Sequence, residues 1–555
     1  MKRWVVRVLL IGMLLFRISE VIASEPMEGN TPPVAWFMLD SEEYIKGENI
    51  QVINKSYDPD GDRIVDVIWQ TQGDRKVSAP NIQSLIEKLE EGIHIVGVKV
   101  KDSKGGWSDW QLHNLIVKEN QQPVITSLEA TQKSYKIGEA IELEYDYDNE
   151  EWEDIEEERW SYRRVDNPNT TLIKEKPKMI FKAGEYEVIL LIKDGFGNWS
   201  IPKTYVIIIT EEIVQTEHYY HFTKNTPGST ILNQQQIEYR DYQDVPYENA
   251  GFEKGTLLLS NSPETVKAKG ILYRDTVRGK GRMVIHHVSG FSQQQLKDES
   301  KRLMIVAQNE TQTPVKLTIS KKSIKGPDKD VLHTGQKSVQ GYLESDSYID
   351  YILAPGEGMY LYDSKPRKWD SDTVISGMFN FETNGPLRLT VAVGGPKTDI
   401  IHLNNMGALN RDNHNRGTFD TLTRYYRIDA TGLENPAKLL IGSNKEEWAV
   451  GYDALTRETV YNRGNYGIEH CLKVTTQKPL GILLNARGGM YRGAIRWIDG
   501  SVVNTPNSSY FDYKDKATVV GVMKQRQEGE YIYILPNGSS APMLFGFIPE
   551  SNWNQ

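Results

Sequence analysis

Cysteine is all but missing from this chain: Cys471 is the only one among 555 residues. An intramolecular disulfide and any Cys-rich zinc or iron–sulfur site are therefore excluded. A basic excess is missing too, since 65 Lys and Arg face 75 Asp and Glu for a formal net charge of −10. That balance argues against duplex DNA and anionic membrane as partners. Beyond the first residues no stretch is apolar enough to span a bilayer. Gly-x-Ser-x-Gly, His-Glu-x-x-His and Walker patterns are also lacking, which removes the compact signatures of several hydrolase and nucleotidase classes. What is present is a globular composition, 39% apolar and 25% charged, long enough for several domains.

Lys2, Arg3 and Arg7 precede the apolar run Val8 to Phe16, and Val21-Ile22-Ala23 offers a cleavage point. This order of regions predicts a secretory signal over residues 1–23, because Arg17, Ser19 and Glu20 end the run far short of a membrane span. Export with a single cysteine fits a bacterial secreted protein, extracellular or held non-covalently at a cell surface. Cys471 lies in a strand-like apolar run beside His470 and reads as a small buried hydrophobe rather than a nucleophile.

Two stretches of about ninety residues match. Tyr44-Ile45-Lys46-Gly47-Glu48 pairs with Tyr135-Lys136-Ile137-Gly138-Glu139, and Gly92, Asp102, Trp107 and Ser108 recur as Gly184, Asp194, Trp199 and Ser200. The near-constant offset indicates a tandem repeat. Apolar residues alternate within each copy, as at Tyr186, Val188, Leu190 and Ile192, and turns rich in Gly and Asp follow. Alternation bounded by such turns predicts antiparallel strands and a small β-sandwich per copy. The one helical spacing, Ile82, Leu85, Ile86 and Leu89, predicts a short helix at the edge of the first copy.

Ser56-Tyr57-Asp58-Pro59-Asp60-Gly61-Asp62, then Trp69 and Gly73-Asp74, then the strand into Val100-Lys101-Asp102, resembles a PKD-type (polycystic-kidney-disease-type) immunoglobulin-like module. The second copy resembles it through Tyr147-Asp148-Asn149, Trp160 and Gly184 to Gly195, with an acidic insertion, Glu150 to Glu158, replacing the Gly-Asp turn. The resemblance covers residues 31–119 and 120–211 and implies extracellular spacers or binders that are not enzymes.

Asp58, Asp60 and Asp62 alternate around Pro59 and Gly61, so their carboxylates can converge on a hard cation such as calcium. The spacing is not that of an EF-hand, and turn formation alone also explains these residue types. Trp107 and Trp199 follow the last-strand turns, where an indole either stacks on a sugar or packs over the sandwich end.

Residues 212–250 read as a linker, and alternating strands then return over 251–400 and 401–555, predicting two larger sandwiches or jelly rolls and an all-β chain. Arg278-Gly279-Lys280-Gly281 reads as a hairpin turn. His286 and His287 are neighbours on a strand, and His218 and His221 lack a defined third metal ligand. Two polar loops stand out as ligand-binding candidates, one with His414 and Arg416 beside Arg411 and Asp412, the other with Arg487 and Tyr491. Together these readings favour a secreted modular surface-interaction protein binding extracellular carbohydrate or envelope protein. The rivals are a carbohydrate-active enzyme with paired carboxylates in the C-terminal half, and a structural component of an extracellular layer.

Overall fold

The computed structural model describes residues 29–48, 50–71, 75–78, 82–86, 88–149, 154–166, 172–224, 227–365, 369–511 and 515–554. The signal over 1–23, the Gly73-Asp74 turn and residues 150–153 of the acidic insertion lie outside them. The chain forms two compact units, one of Met1–Lys133, Glu142–Pro177 and Glu185–Ile207, the other of Ser134–Ile141, Lys178–Gly184 and Ile208–Gln555. The architecture is all-β, and its N-terminal part is a pair of immunoglobulin-like sandwiches.

In the first sandwich, strands β1 (Phe37–Leu39), β2 (Glu43–Ile45), β3 (Val52–Asn54), β4 (Ile64–Thr71), β5 (Arg75–Ser78), β6 (Gly92–Asp102) and β7 (Gln111–Lys118) form two sheets. Their orders are β1-β3 and β2-β7-β6-β4-β5. Helix α1 (Ile82–Ile86) puts Ile82, Leu85 and Ile86 into the core with Phe37, Trp69, Val96, Val98 and Val100, so the expected helix is present but short.

The second sandwich repeats this with β8 (Val124–Ala130), β9 (Ser134–Ile137), β10 (Leu143–Asp148), β11 (Ile155–Arg164), β12 (Gly184–Asp194) and β13 (Lys203–Ile213), in sheets β10-β8 and β11-β12-β13-β9. The duplication holds in detail. Parallel pairs β2 with β7 and β9 with β13 correspond. The Glu48 and Glu139 carboxylates accept from Ile45 N and Lys136 N, and Trp107 and Trp199 bridge to Lys101 and Lys193. Asp102 accepts from the N–H groups of Lys104 and Gly106, Asp194 from those of Phe196 and Asn198. Gly47 is fixed twice over: its φ is +97°, and a Cβ there would fall 1.8 Å from the Phe196 ring.

The rest of the second unit begins with helix α2 (Glu217–Lys224), β14 (Thr230–Ile231) and β15 (Gln243–Asp244). The expected linker is therefore structured: β14 pairs with a strand at Ala517–Met523, β15 with one at Ala437–Ile441, and Phe222, Ile231 and Tyr239 are core residues. Its Asn, Gln and Pro residues suggested a loop, but buried aromatic and aliphatic side chains among them decide the outcome.

There follow β16 (Tyr247–Ser260), β17 (Thr265–Val266), β18 (Gly270–Ser289), α3 (Gln293–Asp298), β19 (Arg302–Gln308), β20 (Val315–Asp328), α4 (Val331–Glu344), β21 (Tyr348–Leu353), β22 (Gly358–Asp363), β23 (Val374–Gly394) and α5 (Ile400–Asn404). The C-terminal strands are β24 (Arg416–Asp429), β25 (Ala437–Ile441), β26 (Ala449–Asp453), β27 (Glu458–Asn462), β28 (Glu469–Thr475), β29 (Leu480–Ala486), β30 (Gly493–Arg496), β31 (Val502–Thr505), β32 (Ala517–Met523), β33 (Glu528–Tyr533) and β34 (Met543–Pro549).

These strands form one continuous sheet, β21-β20-β23-β18-β16-β24-β28-β33-β30-β31 with five further strands joined to it, and a six-stranded sheet β14-β32-β29-β34-β25-β15. The join is β16, which pairs with both β18 and β24. The Arg278–Gly281 segment is not a hairpin turn: β18 continues through it, with a register shift at Gly279, whose φ is +78°. One core gathers residues of β18, β19, β20 and β23, including Met283, Ile305, Ile319 and Phe379. Another lies between the six-stranded sheet and β28, β30 and β33, including Leu472, Tyr531, Ile482 and Phe545.

Candidate functional site

A cavity of about 180 Å³ lies between residues 411–416 and the end of β27, lined by Arg411, Asp412, His414, Asn415, Tyr461 and Arg463 among others. Strand pairing builds it: β24 pairs with β26, β26 with β27, and Asn415 Nδ2 ties the two rims by donating to Arg463 O at 2.9 Å.

His414 is held between two carboxylates. Its Nδ1 is 3.0 Å from Asp412 Oδ1 and its Nε2 3.0 Å from Glu264 Oε2. Asp412 also accepts from Ser262 Oγ at 2.7 Å and from the N–H of Glu264 at 2.9 Å. The two acids differ. Burial pushes the Glu264 carboxyl above its ordinary range, with His414 opposing and Asp412 adding to the rise. For Asp412 burial also raises, but hydrogen bonds from His414, Ser262 and Glu264 outweigh it and the net direction is down. Ser262 bonds to the aspartate rather than to the imidazole, so this is not the arrangement of an activated serine nucleophile.

On the cavity's rim, Arg411 pairs with Glu458 at 3.0 Å, whereas exposed Arg463 has no ion-pair partner among the described residues. Tyr461 is 38% exposed, with Lys445 Nζ 4.9 Å from its ring centre. The cavity thus offers fixed donors and acceptors of both kinds beside the partly exposed Tyr461 ring, over which Lys445 lies.

The expected loop residues separate. His414 stands in the cavity. Arg416 is buried, gripping Asp453 with Nε and Nη2 at 2.9 and 2.8 Å and donating to Leu409 O. Arg487 is buried beside Glu238 at 3.1 Å. Tyr491 is wholly buried, stacked on Phe511 and bonded to Thr505 Oγ1. Arg487 and Tyr491 face the interior because each has a partner there that a loop surface would not supply, whereas Arg416, its guanidinium held by Asp453, also lines the cavity beside His414. Tyr461 and Arg463 complete the cavity, and Glu264 and Ser262 hold His414 and Asp412 in place, none of them marked by a local motif.

In the first unit, the carboxylates of Asp58, Asp60 and Asp62 approach within 4.8 Å of one another. Asp58 Oδ1 accepts from the N–H groups of Asp60 and Asp62, Thr31 donates twice to Asp60, and Lys104 Nζ lies 3.0 Å from Asp62. The donor set suits a hard cation, but the Lys104 ammonium already neutralises one carboxylate, so a bound calcium ion would have to displace it. Trp107 and Trp199 are half-buried, and cations cover them: Lys101 Nζ is 5.5 Å from the first ring and Arg159 Cζ 3.9 Å from the second. Trp36, 48% exposed on the outer face of β1 and β3 with Met38, Ile53 and Tyr57, is the open aromatic surface of that sandwich. Cys471 is buried, and burial, with Glu469 and Glu530 adding, pushes its thiol up to about 12.

No protein-family model matches the sequence, and none of the curated proteins does. Among solved structures, the chain is similar to the fibronectin(III)-like modules of Clostridium thermocellum CbhA, at 15% identity over 32% of this chain and 95% of that one, with a TM-score of 0.15. It is also similar to carbohydrate-binding modules of the β-sandwich superfamily, at 11% identity over 50% of this chain and all of that one, TM-score 0.14. A third similarity is to a 1.5-MDa bacterial ice-binding adhesin, at 8% identity over 78% of this chain and 96% of that one, TM-score 0.19. No described helix is long and apolar enough to cross a membrane.

Proposed function

We propose that this is a secreted surface-interaction protein whose PKD-type modules act as a spacer arm, and whose C-terminal β-unit binds an extracellular polyhydroxylated ligand, a carbohydrate, at the His414 cavity. The observation that supports this reading is the cavity's mixture of fixed donors and acceptors, Asp412, His414, Asn415 and Arg463, beside the exposed Tyr461 ring. Sugar hydroxyls both donate and accept, and an aromatic face stacks on their C–H surfaces, so such a mixture fits a neutral sugar better than a simple ion. Calcium at Asp58, Asp60 and Asp62 belongs to the same proposal as a ligand of the spacer arm. The test is co-sedimentation of the full chain with insoluble polysaccharides and cell-wall preparations. Pelleting that Arg463→Ala and Tyr461→Ala abolish, with circular dichroism unchanged, is expected; pelleting indifferent to both variants overturns the assignment to this cavity.

A second reading, a carbohydrate-active enzyme, draws on the divergent Glu264 and Asp412, one carboxyl held up and one held down across His414. Release of new reducing ends in the same tubes, lost in Glu264→Gln, would favour it.

A further inference from the structure

Alternation along neighbouring strands places a row of polar groups on the sheet face that α4 covers. Register sets Arg282 beside Asn380, Val284 beside Met378 and His286 beside Ser376. Leu259 pairs with Val284 in parallel register, which carries Asn261, two residues on, to the level of His286. Helix α4 follows the same levels. Tyr342 donates to Asn380 and Glu469, Val339 shares a core with Val284 and Met378, and a Cβ on Gly335 would fall 2.1 Å from Asn537 O. Ser338 lies one turn beyond Gly335 and one turn before Gly341, where a Cβ would meet Ser323 Oγ at 2.6 Å.

The two ends of this face differ in one respect. At the first, Arg282 is fully engaged, donating to Asn380 Oδ1, Leu422 O, Gly467 O and Glu469 Oε1 at 2.8–2.9 Å. At the second, His286, Ser376, Ser338, Asn537 and Asn261 are all 5% exposed or less. Yet both ring nitrogens of His286, the hydroxyls of Ser376 and Ser338, and the Oδ1 atoms of Asn261 and Asn537 have no hydrogen-bond partner among the described protein groups. Buried polar atoms are almost always paired, so several unpaired ones at one level point to molecules that pair them.

We propose that this layer is an internal binding site for a small cluster of water molecules, about two or three, which bridge His286 to the serine hydroxyls and the asparagine carbonyls. The chemistry selects a neutral ligand. The charged or titratable groups near the layer include His287 and His414, which act on His286 through space, and Lys325, whose Nζ approaches Gly341. None of them offers the negative charge that a buried cation needs, and the inward carbonyl oxygens repel an anion. Burial keeps the imidazole neutral, so one nitrogen donates and the other accepts, as a bridging water requires.

A crystal structure of the full chain showing ordered solvent is expected to have density within hydrogen-bond distance of both His286 nitrogens. A dry layer, or a ring turned to pair directly with Asn261 or Ser376, overturns the proposal. Thermal unfolding tests it independently. Ser376→Ala and Ser338→Ala each remove an anchor and are expected to lower the Tm of the second unit by about 2 °C. An unchanged or raised Tm for both, the result of deleting hydroxyls that nothing had satisfied, overturns it as well.

Discussion

Arg416 and Asp453 form a two-pronged ion pair inside the second unit, with side chains 1% and 0% exposed. Asp453 Oδ2 takes both guanidinium contacts and Oδ1 accepts from Leu455 N, while Arg416 Nη1 reaches the carbonyls of Leu409 and Leu272. Removing one partner strands a buried charge, which typically costs about 3–5 kcal/mol. Arg416→Ala and Asp453→Ala should therefore each lower the urea midpoint of the second unit markedly. The double replacement by apolar residues should cost less than either alone. A stably folded Arg416→Ala protein that had lost only ligand binding would return Arg416 to the binding site.

Five histidines withdrawn from solvent make the second unit sensitive to acid. Burial lowers His218, His221 and His287 to about 4 and His286 and His470 to about 3, against an ordinary value near 6.5. The unfolded chain then binds protons that the folded one refuses, so stability is intact above about pH 6.5 and is lost as pH falls towards the folded values. Each histidine contributes a slope of about 1.4 kcal/mol per pH unit within that window. Urea unfolding between pH 7 and 5 should show a steep fall for the transition reporting the second unit. A flat profile would mean that these imidazoles find protons in the folded state.

How much of this was legible in the sequence depends on the range of the interaction. The all-β architecture was, because alternation such as Tyr186, Val188, Leu190 and Ile192 is a local consequence of one buried face. The duplication was legible through residues with fixed local duties, such as Asp102 and Asp194 closing equivalent turns. Gly279 resembles a turn residue because glycine marks turns and bulges alike, and only the partner strand distinguishes them. Polar Arg416 and Arg487 resembled loop residues because their partners, Asp453 and Glu238, lie far along the chain. Glu264 was invisible for the same reason: it meets His414 only when the segment after β16 is laid beside the start of β24.

The repeated serine offers a test of the duplication in energetic terms. Ser108 Oγ accepts from Val100 N and Ser200 Oγ from Ile192 N, at 3.0 and 3.1 Å and both buried. Replacing either by alanine leaves an N–H without that acceptor, at a cost of about 1–3 kcal/mol. Ser108→Ala and Ser200→Ala should thus destabilise their own sandwiches by similar amounts, read from hydrogen exchange at Val100 and Ile192. Protection lost in one copy only would show that the shared turn carries different loads in the two.

At the acidic turn of the first sandwich, the Lys104 ammonium stands 3.0 Å from the Asp62 carboxylate, so the calcium ion proposed for this turn would compete with it there. Removing the lysine side chain leaves three converging carboxylates with less positive charge to balance them, so repulsion rises and the demand for a cation rises with it. Lys104→Ala should therefore lower the Tm of the first unit in chelator and restore it in millimolar calcium, with a larger calcium-induced rise than the natural chain shows. Asp60→Asn, which keeps the turn geometry while removing a charge, should shrink that rise. Equal Tm values with and without calcium in all three proteins would assign Asp58, Asp60 and Asp62 to turn formation alone.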